Sequence, residues 1–440
     1  MNDDYMSWGR YPRVSQKVKE IQWRSDPFPE IKKSDSFLPF GMGRSYGDVC
    51  LNDGGTILST KSMARFLAFD QENGVIRCDA GVCLKELLEF IIPYGWFVQV
   101  TPGTKYVTIG GMIANDVHGK NHHRVGTFGC HLHCFELLRS DGSRLLCSPN
   151  QNSELFSATI GGLGLTGLIT WAEIKLKKIQ GPFIDTESIR FNNLEEFFNL
   201  SRESDNAWEY TVAWIDSLAN GNLLGRGLFM RGNHSTTPGS DKLPTIKHKL
   251  TIPLDAPSNL LNKYTIKLFN NVYYSKQISK IIQKLQYFDK YFYPLDGIGQ
   301  WNRLYGKKGL LQYQCVVPTD DGQDVISEIL KECRNNGQGS FLSVLKIFGN
   351  RPSPGLLSFP REGVTLALDF PNRGVETFLL LDTLDKIVTA AGGAVYPAKD
   401  ARMASASFKS YYPNWNEFEK YIDPHFSSSF WRRVTGKTGN

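Results

Sequence analysis

The chain has 440 residues, of which 41% are hydrophobic and 21% are charged, and this composition is typical of a globular protein and argues against a disordered chain or a coiled coil. Fifty Lys and Arg residues against 44 Asp and Glu residues leave a net charge of +6. This charge is compatible with an anionic ligand or a membrane surface but does not indicate nucleic-acid binding.

The length predicts two or three domains at about 150 residues each. The eight cysteines are too few for a disulfide scaffold. The N-terminus, MNDDYMSWGRYPRV, has no apolar run and does not resemble a secretory signal, and no stretch reaches the roughly 18 apolar residues of a membrane span. We therefore expect a reduced, soluble protein of the cytoplasm.

Residues 38–180 are rich in glycine and in short apolar runs separated by turns. The runs at 54–60, 74–82, 95–103 and 164–179 predict strands. Between them, residues 82–94 have helical spacing, with Leu84, Leu87, Leu88 and Ile91 on one side, and Gly95 marks the end. Mixed strands and helices predict an α+β fold.

Residues 181–395 have a different pattern. Segments 309–318, 340–349 and 363–371 predict strands, and segments 324–335 and 375–393 predict helices, an order typical of a sheet with helices on one face. The stretch 234–270 is polar and contains proline, and we expect it to be a mobile insertion. Its basic residues are Lys242, Lys247, Lys249, Lys263 and Lys267.

Three glycine-rich segments carry the first chemical signal. The segment FGMGRSYGD at 40–48 can present backbone N–H groups as an anion-binding nest, with pyrophosphate as the natural guest, or can be a plain turn. It matches neither a Walker loop nor a Rossmann fingerprint. Segments 101–123 and 161–169 also contain clustered glycines, which allow close approach of a ligand or of another backbone.

The histidines and cysteines between 118 and 134 raise the question of a metal site. Their spacing fits no zinc motif, because a structural zinc ion needs four converging ligands, and we expect none. His118 is either a buried structural histidine or a group facing a ligand, and His122 and His123 are expected to be structural. The other members of the group are Cys130, His131, His133 and Cys134.

These motifs together resemble a known family. GRSYGD (43–48), TPGT (101–104), TIGG (108–111), HGKNHH (118–123) and GGLGLTG (161–167) are similar to the flavin-binding half of the vanillyl-alcohol-oxidase/p-cresol-methylhydroxylase (VAO/PCMH) flavoproteins. Within that superfamily the chain resembles the decaprenylphosphoryl-β-D-ribose 2′-oxidase family, and the similarity continues through AWIDS, LQYQ, SFLSVLKIFG, LALDFP and YPAKDAR.

The resemblance implies a two-domain α+β flavoprotein. Residues 1–180 would form the FAD-binding domain, residues 181–395 a substrate-binding cap domain with an antiparallel sheet and helices on one face, and residues 396–440 a segment returning to the FAD domain. FAD would be non-covalent, because the first loop has no histidine and Tyr46 occupies that region. The residues implied to bind FAD are Gly41, Met42, Gly43, Arg44, Ser45, Tyr46, Gly47, Pro102, Gly103, Thr104, Val107, Gly110, Gly111, Asn115, Val117, His118, Gly119, Ile169 and Tyr396.

The substrate side is also implied by the resemblance. Alternation along a strand puts Gln312 and Gln314 on one face, which is either exposed to solvent or directed at substrate. Lys346 could pair with a phosphate, and Lys399, if desolvated, could act as a base. The implied catalytic residues are Lys399, Tyr396 and His118, and the implied substrate-binding residues are Gln314, Lys346, Lys399, Trp214, Gln312 and Ala367.

The implied reaction is oxidation of the 2′-hydroxyl of a polyprenyl-phosphate pentose, with hydride transfer to flavin N5. A reductase partner would complete an epimerisation for cell-envelope arabinose precursors, oxygen or a quinone would accept the electrons, and the protein could touch the inner membrane face. Alternatives are an oxidase of free sugars, alditols or aldonolactones, and a non-catalytic FAD-binding protein.

One departure from the family is Ala367. Mycobacterial members carry a cysteine there, to which nitroaromatic inhibitors attach. We expect turnover without that attachment.

Overall fold

The computed structural model describes residues 5–236, 250–257 and 259–436. The described chain has an α+β fold, as the sequence predicts, with its strands arranged mainly in three sheets. No helix in these ranges combines the length and the apolar character that a bilayer span requires.

The N-terminal sheet is small and parallel. It has the order β1-β3-β2, and Phe37 on its edge bridges to Phe426 near the C-terminus. Its strands are β1 (Lys17–Glu20), β2 (Phe37–Phe40) and β3 (Thr56–Ser59).

The second sheet is antiparallel, with the order β4-β5-β9-β7-β8 and β6 paired to the far end of β9. Helix α1 buries Leu84, Leu87, Leu88 and Ile91 against it, which confirms the predicted helical period, and the chain then turns at Gly95 with φ +78°. The strands are β4 (Phe66–Asp70), β5 (Val75–Asp79), β6 (Trp96–Val98), β7 (Leu132–Leu138), β8 (Arg144–Cys147) and β9 (Leu168–Lys178). The helices are α1 (Leu84–Ile91), α2 (Ile109–Ala114), α3 (His122–Val125) and α4 (Ser153–Thr159).

The third sheet is large and antiparallel, with the order β14-β10-β12-β11-β17-β18-β16-β19, and a separate two-stranded pair joins β13 to β15. Helices α5, α8 and α9 pack side by side on one of its faces, and the other face looks toward the glycine-rich loops. The strands are β10 (Phe183–Phe191), β11 (Tyr210–Ile215), β12 (Gly227–His234), β13 (Leu250–Thr251), β14 (Ile281–Tyr287), β15 (Ile298–Gly299), β16 (Leu310–Val317), β17 (Ser343–Phe348), β18 (Gly363–Pro371) and β19 (Ala394–Val395). The helices are α5 (Leu194–Ser204), α6 (Lys263–Ser275), α7 (Phe288–Phe292), α8 (Gly322–Asn335) and α9 (Val375–Ala390).

Helix α6 corrects the last part of the mobile insertion predicted at 234–270, whereas residues 237–249 lie outside the described residues. The side chain of Asn262 accepts hydrogen bonds from the backbone N–H groups of Tyr264 and Thr265 and caps the helix. One side of α6 buries Ile266, Asn270 and Tyr274, so packing as well as capping holds it. The predicted basic residues Lys242, Lys247 and Lys249 lie outside the described residues.

The C-terminal segment packs back onto the beginning of the chain. Arg433 forms ion pairs with Asp48 at 2.7 Å and with Asp400 at 2.8 Å. One continuous hydrophobic core includes Leu38 of the first sheet, Phe370 of the large sheet and Phe430 of the last helix. The helices of this segment are α10 (Ser405–Tyr411), α11 (Trp415–Glu419) and α12 (Ser429–Thr435).

Candidate active site

A cavity of about 700 Å³ lies between the glycine-rich loops and the helix-free face of the large sheet. This volume is within the range of small-molecule and cofactor sites. The structure brings nearly all of the residues predicted for FAD and for substrate to its wall. Those lining it are Gly41, Met42, Gly43, Arg44, Ser45, Tyr46, Pro102, Gly103, Thr104, Val107, Gly110, Gly111, Asn115, Val117, His118, Gly119, Ile169, Gln312, Gln314, Lys346, Ala367, Tyr396 and Lys399.

Two predicted residues are not on that wall. Gly47 lies against the C-terminal segment instead, because a Cβ there would be 1.7 Å from the carbonyl oxygen of Asp400. Trp214 donates its indole N–H to the carbonyl of Phe341 at 2.9 Å and packs edge-on against Tyr273. Neither is among the cavity-lining residues, so the structure does not support a binding role for them.

The loop Gly41–Ser45 has the character of an anion nest. In the described part of the chain, no protein acceptor pairs with the backbone N–H groups of residues 42–45. Gly43 has φ +59°, and a Cβ at Gly41 would lie 2.3 Å from Oγ1 of Thr108. Glycine therefore lets this loop bend and pack directly on the second glycine-rich segment, leaving donors that suit a diphosphate.

The second segment carries three further features that suit a bound cofactor. Thr108 caps α2 by accepting from the N–H of Gly111 at 3.2 Å, which directs this short helix along the cavity. A Cβ on Gly103 would meet nothing within 4 Å and would occupy cavity space. Oδ1 of Asn115 is buried without a hydrogen-bond partner among the described residues. The open nest, the space beside Gly103 and this unsatisfied oxygen fit an FAD molecule.

The large sheet provides the opposite wall. Gln312 and Gln314 on β16, Lys346 on β17, and Ala367 and Asp369 on β18 all face the cavity. The alternate residue Tyr313 joins the hydrophobic core on the helix side. The two-residue period of a strand thus separates a polar wall from an apolar core, and of the two possibilities for Gln312 and Gln314 the structure selects the cavity.

Lys399 is a buried amine held between the two walls. Its Nζ lies 4.2 Å from the centroid of the Tyr46 ring. Burial lowers the pKa of Lys399, and the nearby carboxylate of Asp369 opposes this change. Burial raises the pKa of Asp369, and its hydrogen bond from Gln312 and the charge of Lys399 act in the other direction. An amine with a lowered pKa beside a cofactor cavity can take up a proton at near-neutral pH.

His118 connects Gln314 to Lys346. Nε2 of the imidazole lies 2.9 Å from Nε2 of Gln314, and Nδ1 lies 3.1 Å from Nζ of Lys346. Burial, then the charge of Lys346, lowers the pKa of His118, so its ring is neutral and has one N–H. When Lys346 is charged, its ammonium donates to Nδ1 of His118, and the single ring proton is then on Nε2. The N–H at Nε2 needs an acceptor, so the side-chain amide of Gln314 must present its oxygen to it. The charge of Lys346 therefore determines the orientation of the Gln314 amide.

The hydroxyl of Tyr396 is used in a structural hydrogen bond that fixes the glycine-rich side of the cavity. Its O–H donates to the backbone carbonyl of Asn115 at 2.7 Å, and its ring stacks on Phe359 at 4.5 Å. Its backbone N–H donates to the carbonyl of Gln314 at 2.8 Å. These contacts link the end of helix α2 to strand β16 through one residue, by its side chain on one side and its backbone on the other.

Lys120 is a site residue that sequence reasoning missed. It lies within HGKNHH, where the histidines and the glycine carry the sequence signal. In the structure Lys120 lines the cavity. Its amine donates to the backbone carbonyl of Tyr291 and lies 4.4 Å from the centroid of the Tyr291 ring. Burial lowers its pKa to about 7. Burial, then the charges of Lys120 and Lys399, also lowers the pKa of Lys346 to about 7. Neither lysine pairs with a carboxylate in the described chain, so together they offer a charge to an anion.

The segment from Phe292 to Trp301 also lines the cavity and carries no sequence signal of a binding site. It is held near the glycine-rich loops by Asp296, whose carboxylate accepts from Oγ1 of Thr104 at 2.7 Å and from the N–H of Lys105 at 2.8 Å. Only tertiary packing brings it there.

The histidine and cysteine group does not converge on a point. In the residues that the structure describes, no three His, Cys, Asp or Glu side chains are arranged to hold a metal ion. Nε2 of His123 faces the carbonyl of Trp208 at 3.2 Å, and Nε2 of His131 faces that of Val125 at 3.0 Å. His122 is buried against Phe348.

Comparison with known proteins agrees with this geometry. Residues 32–148 match the model of the FAD binding domain family. The chain is 34% identical to decaprenylphosphoryl-beta-D-ribose oxidase of Mycolicibacterium smegmatis, over 98% of this chain and 96% of that protein. It is 32% identical to an uncharacterized protein in the mprA 5′ region of Streptomyces coelicolor, over 80% of this chain and 100% of that protein. Human delta(24)-sterol reductase is 29% identical over 25% of this chain and 21% of its own length.

Proposed function

This chain belongs to the VAO/PCMH-type family of FAD-dependent oxidoreductases, and from that membership we propose that it oxidises the 2′-hydroxyl of a polyprenyl-phosphate-linked pentose to the 2′-ketone. The name of the M. smegmatis relative, which aligns along nearly the whole chain, supports this substrate class. The product would be a keto sugar that keeps its lipid phosphate.

The observation that carries the proposal is the composition of one cavity. A nest of free N–H groups at residues 42–45 lies on one wall, and the buried amines of Lys120, Lys346 and Lys399 line the same space. A cofactor diphosphate suits the first wall. A second phosphate suits Lys120 and Lys346, because a buried cation without a carboxylate partner favours an anionic ligand. A sugar hydroxyl suits Lys399, whose charge is balanced by Asp369.

Lys399 is our candidate for the proton acceptor. Its lowered pKa leaves part of the population uncharged near neutral pH, and an uncharged amine can take the proton of a substrate hydroxyl. The Tyr46 ring and the Asp369 carboxylate then stabilise the ammonium that forms. When bound, FAD supplies the two-electron acceptor that oxidation of an alcohol requires.

Lys120 and Lys346 are our candidates for holding the substrate phosphate. Lys346 donates to the carbonyl of Gly119 at 3.4 Å and approaches His118, so its amine is positioned by the flavin-side loop. Gln312 and Gln314 on β16, which is separated from β17 by β18, can hydrogen-bond the remaining sugar hydroxyls. Recognition of a phosphate by two amines would favour a phosphate-linked pentose over a free sugar.

Three further parts of the proposal concern partners. We propose that a separate reductase returns the ketone with inverted configuration, that oxygen or a quinone reoxidises the flavin, and that the protein contacts a membrane surface where its lipid-linked substrate resides. Epimerisation through a ketone requires a reducing step that a single oxidation cannot provide.

The test is anaerobic reduction of the purified yellow protein. Addition of a polyprenyl-phosphate ribose should bleach the visible flavin band, while ribose, alditols and aldonolactones at equal concentration should not. Faster bleaching by a free polyol or aldonolactone would assign the chain to the oxidases of soluble sugars. Absence of bleaching by any alcohol would leave a non-catalytic FAD-binding protein.

A further inference from the structure

The segment from Leu250 to Leu285 exposes an unusual amount of apolar surface. More than half of the large hydrophobic side chains that are exposed in the described residues fall within it, although it is less than a tenth of the chain. Exposed contiguous apolar side chains on a folded protein indicate an interaction site. The exposed members are Leu250, Leu254, Leu260, Tyr264, Leu268, Phe269, Val272, Ile278, Ile281 and Leu285. We call this set, with the lysines named below, the α6 surface.

The exposed residues of α6 form a stripe. Tyr264, Leu268 and Val272 follow one another at four-residue steps, so they occupy an arc of about 80° on the helix. Their side chains are 82%, 65% and 60% exposed, whereas Ile266 on the opposite side is 2% exposed. The helix therefore packs on the protein through one face and presents a second apolar face to its surroundings.

The charged side chains contributed by this segment itself are all basic, and the nearest acidic residues on the neighbouring strand β10 are Asp185, paired with Leu285, and Glu187, which accepts from Gln283 and binds Arg231. Between residues 256 and 288 the sequence contains no Asp or Glu, and the lysines of this stretch are all exposed and form no ion pair with the described residues. Apolar side chains bordered by lysines are the signature of a helix that lies in the interface of an anionic bilayer. The lysines are Lys263, Lys267, Lys276, Lys280 and Lys284.

The α6 surface adjoins residues of the cavity wall. Leu250 precedes Thr251, which lines the cavity, and β13 pairs with Ile298 and Gly299, which line it too. Phe269 packs against Phe341 at 5.3 Å, and the next residue, Leu342, again lines the cavity. A bilayer in contact with this surface would therefore lie close to the cavity wall.

We propose that the α6 surface docks the protein onto an anionic lipid bilayer, with Tyr264, Leu268 and Val272 in the headgroup–acyl boundary and the lysines on lipid phosphates. The inference deepens the proposed function, because a polyprenyl-linked sugar could then enter the cavity while its tail stays in the bilayer. Docking itself requires no turnover and is measured separately.

The experiment is co-sedimentation of the FAD-loaded full chain with vesicles and without substrate. The protein should pellet with phosphatidylcholine vesicles that contain phosphatidylglycerol, should pellet much less with phosphatidylcholine alone, and should dissociate as the salt concentration rises. Lys267→Glu/Lys280→Glu should bind anionic vesicles on the order of 30-fold more weakly. The control is Lys175→Glu/Lys386→Glu, which makes the same change of charge at two exposed lysines outside the α6 surface. This control should bind anionic vesicles more strongly than Lys267→Glu/Lys280→Glu does.

Leu268→Glu/Val272→Glu tests the apolar stripe and should also lose vesicle binding, whereas Leu146→Glu on the edge strand β8 should not. All variants should keep their flavin spectrum and their activity on a short-chain, water-soluble substrate. Failure of the wild type to pellet with anionic vesicles would overturn the proposal, as would equal binding by Leu268→Glu/Val272→Glu. Dimerisation of the wild type that the same variant abolishes would assign the surface to a second copy instead. The vesicle-binding and dimerisation results do not depend on whether the sugar is oxidised.

Discussion

The amine of Lys399 lies over the ring of Tyr46, 4.2 Å from its centroid, although more than 350 residues separate them in the chain. The contact is fixed by the backbone, because the N–H of Tyr46 donates to the carbonyl of Ala398 at 2.9 Å. Gly47 lies so close to Asp400 that no side chain fits between them. The anion nest and Lys399, the candidate base, are therefore held together by direct backbone packing. Because this packing is rigid, the distance between a cofactor diphosphate in the nest and a hydroxyl at Lys399 would be fixed.

Replacement of Lys399 should abolish most of the alcohol-dependent reduction of the flavin. Lys399→Met removes the amine but keeps much of its apolar volume, so we expect FAD to remain bound and the rate of anaerobic bleaching to fall by roughly 10²- to 10⁴-fold. The control is Lys386→Met on the exposed side of α9, which should behave like the wild type. A Lys399→Met variant that bleaches at the normal rate would remove Lys399 from the reaction.

The pH dependence should identify the same group. Burial lowers the pKa of Lys399 to about 8, and a base acts in its deprotonated form, so the rate of flavin reduction should rise with pH through about 8. Asp369 raises the pKa of Lys399. Asp369→Asn should therefore move the profile to lower pH, and the measurement is the midpoint of the rate–pH curve for both proteins. An unchanged or higher midpoint in Asp369→Asn would contradict the assignment.

Lys346 should control affinity for the phosphate. Lys346→Met should raise KM for a polyprenyl-phosphate pentose by about 10- to 100-fold, the range for loss of a hydrogen bond to a charged group, with a smaller change in kcat. Because the pKa of Lys346 is lowered to about 7, less of the amine is charged above that pH, and wild-type KM should increase there. A free sugar used as a poor substrate should show neither effect.

The flavin should leave the protein on acid precipitation. A covalent link to flavin would need a nucleophilic side chain such as histidine or cysteine, and among the described residues that line the cavity these are His118 and Cys50. Both ring nitrogens of His118 already have protein neighbours, and burial raises the pKa of Cys50 to about 12, which disfavours the reactive thiolate. We therefore expect a yellow supernatant and a colourless pellet, and a yellow pellet would demonstrate a covalent link.

Ala367 should make the protein resistant to covalent nitroaromatic compounds. Its side chain lines the cavity opposite Gln314 on the neighbouring strand, and alanine offers no nucleophile. Incubation of the turning-over wild type with a nitroaromatic inhibitor should leave the intact mass unchanged, whereas Ala367→Cys should gain one adduct. An adduct on the wild type that maps to the cavity would contradict this.

The elements predicted from the sequence are those with a strong local pattern. Helix α1 follows from its apolar spacing, and strands β16, β17 and β18 follow from short apolar runs bounded by turns. Helix α6 has a capping signal at Asn262 and Thr265, but the polar, proline-containing composition of the stretch before it predicts an insertion instead of a helix. Apolar side chains lie on two sides of α6, with Ile266 buried and Leu268 and Val272 exposed, so they do not form the single apolar face that identifies most helices.

The sequence by itself determined the flavoprotein family, the nest at Gly41 and Gly43 and the alternation that puts Gln312 and Gln314 on one face, because each depends on motifs or on neighbours a few residues away. Only the tertiary structure decided that Lys120, Asp369 and the segment 292–301 share a cavity with Lys399, and that Trp214 and Gly47 lie outside its wall. Packing and strand register between distant segments set those distances, and no local pattern records them.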